Sequence, residues 1–210
     1  MTDENPAVTE FRSALAFWLK DFAALQAWFG QDAEWRTTCR RVLEHARYGV
    51  HINQERAASA CCLRPSADPE QLKTALDLAR RAVELDEGKL YYDWRQMALG
   101  MAEYRNGRYA EADKTLAAAA ETGARNPYVP ITSAFYRAMS LFKQGQAEEA
   151  RRLALGAAAQ MKPLPQDDKN PLAGGADDND LMLWLAYKEA RALLNLQAAP
   201  TASTPTENRK

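Results

Sequence analysis

At 210 residues, 47% hydrophobic and 26% charged, the chain is long enough for one large or two small domains with real cores. A formal charge of −1, with Arg40-Arg41, Arg80-Arg81 and Arg151-Arg152 dispersed among matching acids, argues against a nucleic-acid binder, which carries a basic face or stripe. No apolar run approaches the roughly 20 residues of a membrane span, and the acidic start Met1-Thr-Asp-Glu is unlike a signal peptide. Cys39, Cys61 and Cys62 make no disulfide framework, so the expectation is a cytoplasmic protein with reduced thiols.

Alanine is abundant, valine and isoleucine are scarce, and no stretch alternates with period two, so the expected fold class is all-α. Residues 1–8 read as disordered. An N-terminal aromatic hairpin follows over 9–49. In its first helix Phe11, Leu15, Trp18, Phe22, Leu25 and Phe29 recur at steps of four and three and share one face. Phe17, Leu19 and Trp28 widen that face, so this helix packs on two sides or meets a partner. Gly30 ends it, and Asp32 is placed to cap a second helix with Trp35, Cys39, Val42 and Ala46 inward.

Three further hairpins are expected over 54–88, 90–126 and 130–162. In the first, Asp68-Pro69 marks a helix start, an N-cap followed by proline. In the other two the helical pattern breaks at Gly107 and at Gly145, 38 residues on (145 minus 107), each time restarting on a similar phrase: Gly-Arg-Tyr-Ala-Glu-Ala and Gly-Gln-Ala-Glu-Glu-Ala. A Pro/Gly/Asp loop spans 163–180. A capping helix follows over 181–197, apolar nearly all round from Leu181 to Tyr187, and a disordered tail over 198–210.

The turn phrases, with Leu99-Gly100 before Gly107 and Ala112, Leu116 and Ala119 after it, resemble the tetratricopeptide repeat (TPR). The resemblance implies a TPR-like α-solenoid of antiparallel hairpins with a C-terminal capping helix. In such stacks the first helix of each hairpin lines a concave surface. Those positions hold Trp94, Met97, Met101, Tyr104 and Arg105, then Phe135, Met139, Phe142 and Lys143, an adaptable apolar groove suited to a helical or extended peptide. The same residues also read as hairpin-to-hairpin core, because aromatic stripes at helical spacing usually pack. The Lys and Asn of a chaperone-type carboxylate clamp are missing.

A second resemblance rests on Ala27-Trp-Phe-Gly-Gln-Asp-Ala-Glu34, Thr38-Cys-Arg-Arg-Val-Leu-Glu44, Met97-Ala-Leu-Gly-Met-Ala-Glu-Tyr104 and Phe135-Tyr-Arg-Ala-Met-Ser-Leu-Phe142. These phrases resemble the C-terminal helical region of large bacterial serine/threonine protein kinases. The Gly-rich loop, strand lysine, HRD loop and DFG triplet of a kinase are absent, so the resemblance implies a non-catalytic accessory portion, either a fragment or a stand-alone relative.

No cofactor or metal site is expected. His45 and His51 are the only histidines, and neither falls at a metal-ligand spacing with a cysteine. The acids Asp167, Asp168, Asp177, Asp178 and Asp180 lack an EF-hand pattern and read as helix caps; other acids fall on expected solvent faces. The expected function is a protein-interaction scaffold with a protein or peptide partner. The alternative is an oligomerisation module, self-associating through Phe17, Trp18, Phe22 and Trp28 of the first helix.

Overall fold

The computed structural model describes residues 18–47, 51–85 and 90–196, and every regular element among them is an α-helix. They are α1 (18–28), α2 (Asp32–Ala46), α3 (His51–Cys61), α4 (Pro69–Glu84), α5 (Tyr92–Arg105), α6 (Tyr109–Thr122), α7 (Tyr128–Lys143), α8 (Ala147–Ala158) and α9 (Asp178–Leu194). The expected disordered ends, with Phe11, Leu15 and Phe17, lie outside the described residues.

Gly107 and Gly145 are the turns their phrases suggested, at φ +73° and +81°. At each, the glycine N–H donates to the carbonyl three residues back, and the following N–H to the carbonyl five back (Arg108 to Glu103, 2.9 Å; Gln146 to Leu141, 3.0 Å). This left-handed cap closes one helix and aims the chain into the next. Gly30, at φ +67°, makes the same pair of bonds (Gln31 to Gln26, 2.9 Å), so the α1–α2 turn is a third instance. Its distance from Gly107 (107 minus 30, or 77 residues) is about twice the 38-residue spacing. The α3–α4 connection uses other chemistry: Asp68 accepts from Glu70 N and Gln71 N, both at 3.1 Å, with Pro69 at the first helical position.

Three local expectations need correction. Asp32 is the first residue inside α2, not its cap; its carboxylate instead meets Arg64 Nε at 3.0 Å, while Arg64 Nη1 donates to Ala27 O at the end of α1. His51 opens α3, three residues ahead of the expected start of that hairpin at residue 54. The last helix starts at Asp178 rather than Leu181 because Asp177 and Asp180 form a reciprocal capping box.

From α2 to α8 each helix packs on the next, and α3, α5 and α7 touch in succession. Gly100 lets α5 and α6 approach closely: a Cβ there would sit 2.4 Å from Leu116 Cγ. α9 lies on α7 and α8 with Leu181 to Tyr187 buried without a break, as its all-round apolar pattern requires. α1 meets α9 as well. Trp28 packs at a tilt against Trp184 with centroids 5.9 Å apart and donates to Asp168 O at 2.9 Å, and Lys188 Nζ sits 3.4 Å from its ring centre. The first and last described helices therefore clasp one another.

Candidate binding cleft and docking face

The residues proposed to line a peptide groove separate into three groups. Met97, Met101, Phe135 and Met139 are fully buried. Phe135 packs on Tyr187 of α9, ring centres 5.6 Å apart, so this stretch is interior packing and not an open groove. The correction has a simple cause: the chain's own last helix occupies the face of α7 that a peptide would need. Phe142 is half-buried.

Tyr104, Arg105 and Lys143 border a shallow depression of about 520 Å³ near the C-terminal end of α5. Arg105 is the junction of this end. Its Nε donates to Cys62 O (2.8 Å), Nη1 and Nη2 grip Glu189, and Nη2 also reaches Tyr136 OH at 3.3 Å. Tyr136 OH donates to the same Cys62 carbonyl at 2.9 Å. Burial opposes the guanidinium charge, but Tyr136 and Glu189 outweigh it and hold Arg105 above its ordinary pKa. A guanidinium so fully engaged is an internal tie.

Trp94 belongs to a cleft of about 630 Å³ at the opposite end of α5. Its walls come from Lys20, Asp21 and Leu25 of α1, Glu55 and Arg56 of α3, Trp94 and Arg95 of α5, and the start of α9. The α9 capping box explains why acids gather there: Asp177 accepts from Asn179 N and Asp180 N, which leaves Asp178 on the first turn, where the helix dipole favours a negative charge. Lys20 crosses from α1 to this turn. Its Nζ lies 2.6 Å from Asp178 Oδ2, 3.3 Å from Asn179 Oδ1 and 5.7 Å from the centre of the Trp94 ring.

Two carboxyls of the cleft are held toward protonation. Burial, then the neighbouring Asp178, pushes Asp21 up to about 6 against the opposing pull of Lys20 and Arg56. Burial likewise raises Glu55, which is 7% exposed and accepts a hydrogen bond from Ser59 Oγ at 3.0 Å. The lining includes neither histidine nor cysteine, and no metal-binding group of three or more ligands occurs among the described residues. With cationic and carboxylate side chains interleaved, the cleft can hold a polar group by hydrogen bonds.

Sequence reasoning reached Trp94 and missed Lys20, Asp21 and Glu55, because carboxylates at helical spacing read as solvent face. One signal existed: Glu55 precedes Ser59 by one helical turn, and the run from Ala57 to Leu63 carries no charge at all.

The outer side of α1 is unusual for a helix in a core. Ala23, Ala24 and Ala27 point inward and are buried, whereas Trp18, Phe22 and Phe29 are 71%, 55% and 47% exposed. The aromatic stripe that ought to seek the interior faces solvent. Trp28, expected to share that face, turns toward α9 instead. Among the described residues no helix is long and apolar enough to cross a membrane.

No protein-family model, curated protein or solved structure matches this chain.

Proposed function

We propose that this chain is a non-catalytic protein-interaction module, a TPR-like stack of antiparallel hairpins capped by α9, which docks an apolar helix through the outward face of α1. The observation that carries this reading is the inverted packing of α1, with alanines inside and Trp18, Phe22 and Phe29 outside. Large apolar side chains gathered on one exposed face mark an interaction surface more often than chance decoration. Aromatic residues also dominate interface energetics.

The stacked-hairpin part of the reading draws support from the three like turns at Gly30, Gly107 and Gly145 and from the successive packing of α3, α5 and α7. The resemblance to the C-terminal region of bacterial serine/threonine kinases supports a role beside such a kinase. Three buried, unpaired cysteines fit a reducing cytoplasm.

Photo-crosslinking tests the docking face. A p-benzoylphenylalanine placed at Trp18 in living cells is expected to capture protein. The same probe at Leu155, which is 54% exposed on α8, is expected to capture none. Capture from position 18 should vanish when Phe22 and Phe29 are replaced by alanine, changes that leave stability within about 0.5 kcal/mol at exposed sites. Equal capture from both positions, or none from position 18, sinks the reading.

A further inference from the structure

We infer that the helix received by the outer face of α1 is α1 of a second copy of this chain, so that the protein forms a two-fold dimer through a seam of Trp18, Phe22, Leu25 and Phe29. The inference rests on the docking reading above and names its partner.

The spacing of the exposed residues is the first support. From Trp18 the steps are four, three and four, the alternation by which one helix packs its side chains between those of another in a left-handed pair. The same steps continue backward in sequence to Leu15 and Phe11, which lie outside the described residues. Among the described positions of this register the three aromatic residues are largely open, while Leu25 is half-buried and also touches the core.

The charge pattern favours a copy over a foreign helix. From Phe22 to Gln31 the chain carries no charged side chain. Lys20 and Asp21, the only charges on the described part of α1, line the cleft instead. A neutral seam offers nothing to select an unlike partner by charge and nothing to repel an identical one. A two-fold axis sets the same residues against each other and covers both exposed faces at once.

The area is sufficient. At their observed exposures the three aromatic side chains present on the order of 350 Å² of surface. Two copies contribute about 700 Å² from these rings alone, close to half of the ~1,600 Å² total of a standard interface. Leu25 and the flanking backbone and side chains of two apposed helices add to it.

The test uses the purified full chain. Light scattering across roughly 1–200 µM should show a concentration-dependent shift from the 23.4 kDa monomer to twice that mass. Phe22→Asp should raise the dissociation constant at least about thirtyfold, the size of a hot-spot loss. Trp18→Lys, at the most exposed seam position, should do the same, while Leu155→Asp leaves it unchanged. Each variant is checked for an unaltered melting temperature. A monomer at every concentration overturns the inference, as does a dimer indifferent to both seam variants. If that monomer still crosslinks a different protein from position 18, the docking reading stands without the second copy. If position 18 captures nothing, both fall.

Discussion

Arg105 and Glu189 form a two-pronged ion pair, Nη1 to Oε1 at 2.5 Å and Nη2 to Oε2 at 2.6 Å, joining α5 to α9 across 84 residues of sequence. The arginine side chain is 4% exposed and the glutamate 21%. The guanidinium also lies against the rings of Tyr104 and Tyr136, at 5.3 and 5.4 Å from their centres. Two parallel charge-assisted bonds at short range are strong individually, but removing a charge of this size from water offsets much of that gain. The pair therefore matters chiefly through what remains when one half is missing.

Glu189→Ala should destabilise the fold by about 3 kcal/mol, the lower end for a broken buried pair because Glu189 is partly exposed. The double variant Arg105→Met with Glu189→Met should recover a large part of that loss. It removes both charges together, and Cys62 O keeps its bond from Tyr136 OH. Urea unfolding of the single and double variants measures the difference. A Glu189→Ala loss below about 1 kcal/mol would show that the pair is solvated enough to be incidental.

Gly100 and Gly107 should respond to alanine for different reasons. In a helix interior, Gly to Ala normally gains up to about 1 kcal/mol. At Gly100 the new methyl would meet Leu116 Cγ at 2.4 Å and Cδ2 at 2.7 Å, and Leu116 is fully buried. Overpacking of this kind costs about 1–3 kcal/mol, so the clash wins and Gly100→Ala lowers stability. At Gly107 nothing lies within 4 Å, and only the φ of +73° resists a side chain. Combining each with Leu116→Ala separates the two: the Gly100 penalty should shrink in that background and the Gly107 penalty should not. Equal behaviour of the two glycines would refute the packing account.

Asp21 should make the protein more stable at mildly acid pH than at neutral pH. Its folded pKa of about 6 lies above the ordinary 3.8, with burial and then Asp178 as the main causes. In the window between those values the folded chain holds a proton that the unfolded chain has released. Stability contributed by Asp21 is thus fully present below about pH 4 and is lost as pH rises through about 6. Glu55, raised by burial, acts in the same direction. Asp21→Asn should accordingly raise the melting temperature at pH 7.5 and lose that advantage by pH 4. A carboxyl titration of Asp21 by NMR with a midpoint near 4 would contradict this.

Much of the helical layout was legible in the sequence. The turns at Gly107 and Gly145, the start at Asp68-Pro69, the inward Trp35–Cys39–Val42–Ala46 face of α2 and the unbroken burial of Leu181 to Tyr187 in α9 follow from short patterns. Each depends on interactions within a few residues: a left-handed glycine, an aspartate accepting from the next two N–H groups, a 3.6-residue period. The candidate site was legible only at Trp94. Periodicity marks which side chains share a face, and it does not say what lies opposite.

What the sequence determined by itself is where helices begin, end and turn, because those bonds close within one or two turns of chain. Only the tertiary structure decided which face each helix buries. α1 put its alanines inside, on the side where Arg64 reaches Ala27 O and Trp28 meets Trp184 of α9. The methionines of α5 became interior between α3, α4, α6 and α7, and Phe135 of α7 became interior when α9 settled on α7. Glu55 stayed inside because Ser59, Lys20 and Arg56 surround it. Such outcomes are set by partners distant in sequence, whose size and charge no local window contains.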